Sequence, residues 1–229
     1  MKNKVLVVTA HPDDEVLGCG GTIAKHHKNG DEVTVIILAE GLTSRDDKRN
    51  RDAKIKELSL LKKQSIEANK ILGVNDLQFF DFPDNRMDSV DLLDVVKAIE
   101  NCINKFKPNI VYTHHSGDVN IDHRIIHDAV VVACRPIPDH TVKTLLFFEV
   151  ASSSEWQPNN SYPNFIPNWF VDISQTLDLK LKALKKYKSE MRKFPHPRSI
   201  KALECLANWR GASVGVDAAE SFILGRLLV

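Results

Sequence analysis

Within five positions, His11-Pro12-Asp13-Asp14-Glu15, the chain sets one imidazole and three carboxyl groups. They cannot all be neutralised locally, and Pro12 stiffens the turn that presents them, so the crowding points to a bound cation. Imidazole with carboxylate is a typical zinc ligand set, and a catalytic zinc takes three protein ligands while keeping a position for water. A second cluster, Asn120-Ile121-Asp122-His123, can supply the ligand that the first lacks. The plainer reading of the acidic run is a cap on a helix starting near Asp14, and of Asp122 a helix N-cap, because carboxylates favour helix N-termini. His123 on a separate segment weighs against that reading for the first loop.

These clusters need strands to aim them. Lys4 to Thr9 is a short β-branched run followed by a helical pattern that Asn29-Gly30 ends, and Val33 to Leu38 is a second strand leading through a polar loop, 41–50, into a long helix from Ile55 to Leu72. Leu77 to Phe82 with Val90 to Phe106, and Asn109 to Thr113 with Ile121 to Cys134, continue the alternation, and Val142 to Val150 reads as a fifth strand. Strands alternating with crossover helices predict an α/β fold, a doubly wound and mostly parallel sheet with helices on both faces, Rossmann-like in layout. Beyond residue 150 a strand over Trp169–Ile173 and a helix over Leu177–Met191 are expected to pack on the same domain, giving one domain over 1–229 with a core of about 1–150 and an extension over about 151–229. In such sheets the ligand crevice lies at the carboxyl ends of the strands. Both clusters fall there, as do Glu40-Gly41, Asp84-Asn85-Arg86 and the segment from Glu149 to Trp156.

Ala10-His-Pro-Asp-Asp-Glu15 followed by Gly-Cys-Gly-Gly-Thr-Ile, together with Asn120-Ile-Asp-His123, resembles the PIG-L or LmbE-like N-acetylglucosaminyl deacetylases over nearly the whole chain. The resemblance implies a zinc-dependent hydrolase that removes acetyl from an N-acetylated sugar or sugar conjugate. In it His11, Asp14 and His123 hold Zn2+, and Asp13 is the general base for the attacking zinc-bound water. Amide hydrolysis needs such an activated water, oxyanion stabilisation and a proton for the leaving amine. Asp122 is expected to orient an imidazole. Relatives often carry a histidine where this chain has Asn120, so an amide donor at that position, or His114, His115 or His196, is expected to assist at the oxyanion. The long helix offers Lys62, Lys63 and Gln64 where relatives often show Arg-x-x-Glu. Arg86 and the Pro-flanked His196-Pro-Arg198 segment are assigned to substrate, the guanidinium of Arg198 being suited to a sugar hydroxyl or a diphosphate. Trp156 and Trp209 are candidates to stack on a sugar ring.

Composition narrows the class further. The 229 residues carry 31 Lys+Arg against 30 Asp+Glu, a formal charge of +1, without the basic excess that a nucleic-acid binder needs. The N-terminal apolar run is too short for a signal peptide, and no uncharged stretch approaches the roughly 18 residues of a membrane helix. Four scattered cysteines without a C-x-x-C read as reduced thiols in a cytoplasmic chain. The partners expected are therefore a small N-acetylated sugar and, by the resemblance, further copies of the chain in a trimer or hexamer, with neither nucleic acid nor an integral membrane. Two alternatives stay open. Asp13, Asp14 and Glu15 could hold magnesium in a phosphohydrolase, against which the histidines argue. Gly18-Cys-Gly-Gly21 with Glu40 could belong to a non-catalytic nucleotide-binding module, although Ile23 stands where the third glycine should be.

Overall fold

The computed structural model describes residues 2–229. Its central strands, β1 (Lys4–Thr9) and β2 (Glu32–Ala39), are apolar, largely β-branched runs in which every residue after the first is buried, as a parallel strand covered on both faces requires. β3 (Asp76–Phe82), β4 (Ile110–His114) and β5 (Thr144–Phe148) extend the sheet in parallel, and α1 (Asp14–Lys28), α2 (Ile55–Leu72), α3 (Leu92–Phe106) and α4 (Ile121–Ala133) are the crossovers. Successive strand residues point to opposite faces. Val5, Val7 and Val35 accordingly enter one core with Val16 and Ile23 of α1, while Leu6, Val8 and Ile36 enter the other with Val95 and Ile99 of α3.

With β6 (Trp169–Asp172) and β7 (Ala219–Leu227) from the extension, the seven strands run in the order β3-β2-β1-β4-β5-β7-β6, so the winding reverses between β1 and β4. At such a switch point the chain leaves two neighbouring strands in opposite directions and opens a crevice beyond their carboxyl ends. His11–Glu15 follows β1 and Asn120–His123 follows β4, which brings the two clusters face to face.

The extension beyond residue 150 departs from the sequence reading in two places. The helix expected over Leu177–Met191 stops at Leu184 (α5, Leu177–Leu184), because Tyr187 and Glu190 turn inward to polar partners instead of continuing one face. A further helix, α6 (Ile200–Ala212), and a last strand, β7 (Ala219–Leu227), were not anticipated; β7 inserts antiparallel between β5 and β6 (Trp169–Asp172) and makes the extension part of the main sheet.

The glycines of α1 serve packing. A Cβ on Gly21 would lie 2.8 Å from Ile173 Cδ1, and one on Gly18 would overlap the ring of Phe148, so this space is filled by protein and not kept for a pyrophosphate. Phe148 is fully buried and packs edge-on against His114 with ring centroids 4.8 Å apart. Gly18→Ala is therefore expected to destabilise the fold by about 1–3 kcal/mol through overpacking, read as a lower midpoint of urea unfolding; an unchanged midpoint would contradict this packing.

Candidate active site

His11, Asp14 and His123 converge at the switch point, and one ligand atom from each can be chosen so that all lie within 4.8 Å of one another. Asp14 Oδ2 is 3.4 Å from His11 Nδ1 and 3.2 Å from His123 Nε2. With the other nitrogen of each ring also facing a carboxylate, Asp122 for His11 and Asp118 for His123, the arrangement needs a positive charge, either protons or a metal ion. Asp14 Oδ1 and His123 Nε2 are buried without a hydrogen-bond partner, which is costly unless something occupies the space. This donor set fits a metal ion that accepts mixed nitrogen and oxygen ligands. The electrostatics agree. Burial opposes a charge on His123, but the carboxylates of Asp14 and Asp118 outweigh it and raise its pKa to about 9. Burial likewise pushes Asp14 up, yet His123 and His11 hold it well below the usual carboxylate range.

A layer of acceptors orients these imidazoles. His11 Nε2 donates to Asp122 Oδ2 at 3.0 Å and lies 3.2 Å from Asp84 Oδ1, which leaves Nδ1 as the nitrogen facing Asp14. Asp122 thus serves His11 and not its chain neighbour His123, and it is held in turn by the backbone N–H groups of Asn85 (2.6 Å) and Met87 (3.0 Å). His123 Nδ1 lies 3.1 Å from Asp118 Oδ2. Asp118 accepts from the hydroxyls of Ser153 and Ser154, and the positive charge on His123 with these bonds keeps its carboxyl ionised against the effect of burial. Asp84 was placed at the crevice from the sequence but given no role, and Asp118 was not singled out. A carboxylate in the same strand-end loop as a candidate ligand was the available signal.

Asn120 is the N-cap of α4, its Oδ1 accepting the N–H of Asp122 at 2.9 Å, so its Nδ2 is the group left for the cleft that it lines. The three histidines considered as substitutes are engaged elsewhere. His114 is buried against His123 with ring centroids 3.9 Å apart and accepts the N–H of Ala10 through Nε2. His115 Nε2 pairs with the carbonyl of Pro163, and His196 Nδ1 accepts the N–H of Arg198.

Asp13 precedes α1 with φ 116°, a left-handed conformation that Asp and Asn tolerate better than most residues. Its N–H donates to Glu15 Oε2 at 3.1 Å, and Glu15 is itself fixed by the hydroxyl of Tyr187 and by Asn69 Nδ2 at 2.8 Å. Residues from two distant segments therefore brace, through Glu15, the backbone that aims Asp13 into the cleft. Burial raises the Asp13 carboxyl, and Arg198, whose Nη1 donates to Asp13 Oδ2 at 2.9 Å, offsets this in part.

Burial also raises Glu15 from an ordinary value of 4.5 to about 7, against the hydrogen bonds from Tyr187 and Asn69. A carboxyl that binds its proton more tightly when folded loses stability as pH climbs from the unfolded to the folded pKa. For Glu15 that window is 4.5 to 7, and the loss is ~3 kcal/mol. Urea unfolding of the metal-free protein should show wild type losing this amount over that window relative to Glu15→Gln; parallel curves would mean that Glu15 titrates normally.

The remaining assignments divide. Arg198 reaches the cleft, but through Asp13 and, by Nε, Ser152 Oγ at 2.7 Å. Arg86 instead donates Nη2 to the carbonyls of Asp46 and Asp47 and holds the loop after β2. His196 stands edge-on to Trp156, and neither they nor the exposed Trp209 line the cleft. Arg45 and Glu190 do line it and were missed.

A model of the family described as GlcNAc-PI de-N-acetylase (PIG-L) matches residues 6–134. The uncharacterized deacetylase YaiS of Escherichia coli is 30% identical over 81% of this chain and 90% of its own length. The diacetylchitobiose deacetylase of Thermococcus kodakarensis is 28% identical over 82% of this chain and 70% of its own, and the 4-oxalmesaconate hydratase of Pseudomonas putida 26% identical over 80% and 72%. Among solved structures, the conserved protein TT1542 of Thermus thermophilus superposes with a TM-score of 0.77 at 26% identity, covering 99% of this chain and 96% of that one.

Proposed function

Because the chain belongs to the PIG-L family, we propose that it is a zinc-dependent hydrolase removing acetyl from an N-acetylated sugar or sugar conjugate of the N-acetylglucosamine type. The observation that carries the reading is the convergence of His11, Asp14 and His123, with buried and unpartnered ligand atoms, beside the cleft that Asp13 lines. Zinc held by these three residues supplies a Lewis acid that acidifies water and polarises the amide carbonyl.

The other steps belong to the chain's own groups. Asp13 takes the proton from the attacking water and returns it to the nitrogen as the C–N bond breaks, so acetate and a free amine leave. Asn120 Nδ2 donates to the oxyanion as it forms, in place of a charged imidazole. Asp122 and Asp118 hold His11 and His123 in the ring orientation that ligation needs, each a positioning residue. The single domain over 1–229 is part of the proposal, since the extension supplies Tyr187, Glu190 and Arg198 to the same site.

Among the described residues no helix is long and apolar enough to cross a membrane, and the four cysteines are unpaired. Both fit a cytoplasmic enzyme acting on a small sugar. The test is release of acetate, with matching appearance of primary amine, from a panel of N-acetyl sugars and nucleotide sugars in the presence of zinc. Metal-dependent release of phosphate without acetate would replace this reading with a phosphohydrolase.

A further inference from the structure

The cleft beside the candidate metal ligands is lined by two guanidiniums, Arg45 and Arg198, and each is paired with a carboxylate. Arg45 Nη2 donates to both carboxylate oxygens of Glu190, at 2.9 and 2.8 Å. Arg198 donates to Asp13 at 2.9 Å and lies 3.8 Å from Glu190 Oε2. The next arginines along the same loop are committed as well: Arg49 and Arg51 both pair with Glu40, each at 2.7 Å. Glu190, only 7% exposed, therefore sits between the two cations of the cleft.

We propose that the cleft selects uncharged acetylated substrates over phosphorylated or carboxylated ones, and that Glu190 is the residue that enforces the choice. The proposal rests on the deacetylase reading and narrows its substrate class. An anionic substituent at Arg45 must either share the guanidinium with the Glu190 carboxylate that already holds Nη2, and so face a like charge, or displace it and leave a buried carboxylate without its partner; both are unfavourable inside a protein. A hydroxyl makes no such demand. It donates to a Glu190 oxygen and accepts from a guanidinium N–H while the ion pair stays intact. Carboxylates also outnumber guanidiniums along the lining, with Asp13 and Asp84 joining Glu190, so these side chains add no net positive charge to attract an anion.

The experiment compares kcat/KM of the zinc-loaded protein for N-acetylglucosamine and N,N'-diacetylchitobiose with that for N-acetylglucosamine 1-phosphate and 6-phosphate, in wild type and in Glu190→Gln. Wild type is expected to favour the neutral sugars by about tenfold or more, the rate equivalent of one lost buried pairing. Glu190→Gln keeps the shape but removes the charge that neutralises Arg45, while Arg198 stays paired with Asp13, and the ratio should move toward the phosphorylated sugars by a similar factor. A wild-type preference for the phosphorylated sugars, or an unchanged ratio in a folded variant, would overturn the proposal. The wild-type arm stands even if the variant does not fold. If no sugar yields acetate, the deacetylase reading fails instead, and calorimetric binding of the same four sugars still reads the charge preference: tighter binding of the neutral pair supports it, and tighter binding of the phosphates overturns it.

Discussion

Asp13→Asn is expected to lower kcat for acetate release by about 10²–10⁴-fold, the usual worth of a general base, while metal content and KM stay near wild type. The substitution is well matched to the site. Asparagine tolerates the left-handed backbone that residue 13 adopts, with φ 116°, and its N–H can still donate to Glu15, as the aspartate's does at 3.1 Å. Its amide oxygen can still accept from Arg198, as the carboxylate does at 2.9 Å. What is lost is the ability to take a proton. Loss from kcat with little change in KM identifies a group that acts in the transition state and not in substrate binding. A variant with near wild-type kcat would remove Asp13 as the base, and a variant that lost its metal would make it a ligand.

His123→Ala should abolish stoichiometric zinc binding and reduce turnover to background. His123 is buried between Asp14 and Asp118, and its removal takes away one of three proposed ligands; His114 Nε2, 3.6 Å from Asp14 Oδ2, already accepts the N–H of Ala10. Asp118→Asn provides the graded comparison. It leaves the imidazole in place but weakens its orientation, and outer carboxylates of this kind typically contribute 10–100-fold to metal affinity. Chelator competition should thus rank wild type above Asp118→Asn and Asp118→Asn above His123→Ala. Full zinc occupancy in His123→Ala would take that residue out of the metal site.

The central frame of the molecule was legible because its signals are local. β1 and β2 are unbroken apolar runs, α2 begins and ends within the expected Ile55–Leu72, and Gly73 closes it in a left-handed conformation. Once strands alternate with helices, the topology places both clusters at the carboxyl ends of neighbouring strands, and the family resemblance names His11, Asp14 and His123 among them as the proposed ligands. Features that depend on distant pairing were not legible. β7, although nine residues long, carries Gly225 pressed against the Phe147 ring and owes its place to antiparallel partners in β5 some distance up the chain. α6 buries only Leu203, Ala207 and Gly211 and exposes Trp209, a weak amphipathic pattern.

The same distinction separates the site residues. Asp118 holds His123 from within its own loop but is fixed by Ser153 and Ser154, and the link between Arg45 and Glu190 spans two segments that nothing in the local pattern connects. Arg86 is a different case: a cationic residue in a strand-end loop, assigned to substrate, it donates Nη2 to backbone carbonyls of the loop after β2. An arginine's position in the chain fixes its neighbourhood but not its partner.

The most direct test of the account is a titration of metal-free protein with zinc while acetate release from N,N'-diacetylchitobiose is followed. Acetate release should be absent at the start, rise in proportion to added zinc, and level off near one equivalent per chain, with one primary amine appearing for each acetate. Full activity in rigorously metal-free protein, or no acetate at any zinc concentration across the sugar panel, would contradict it.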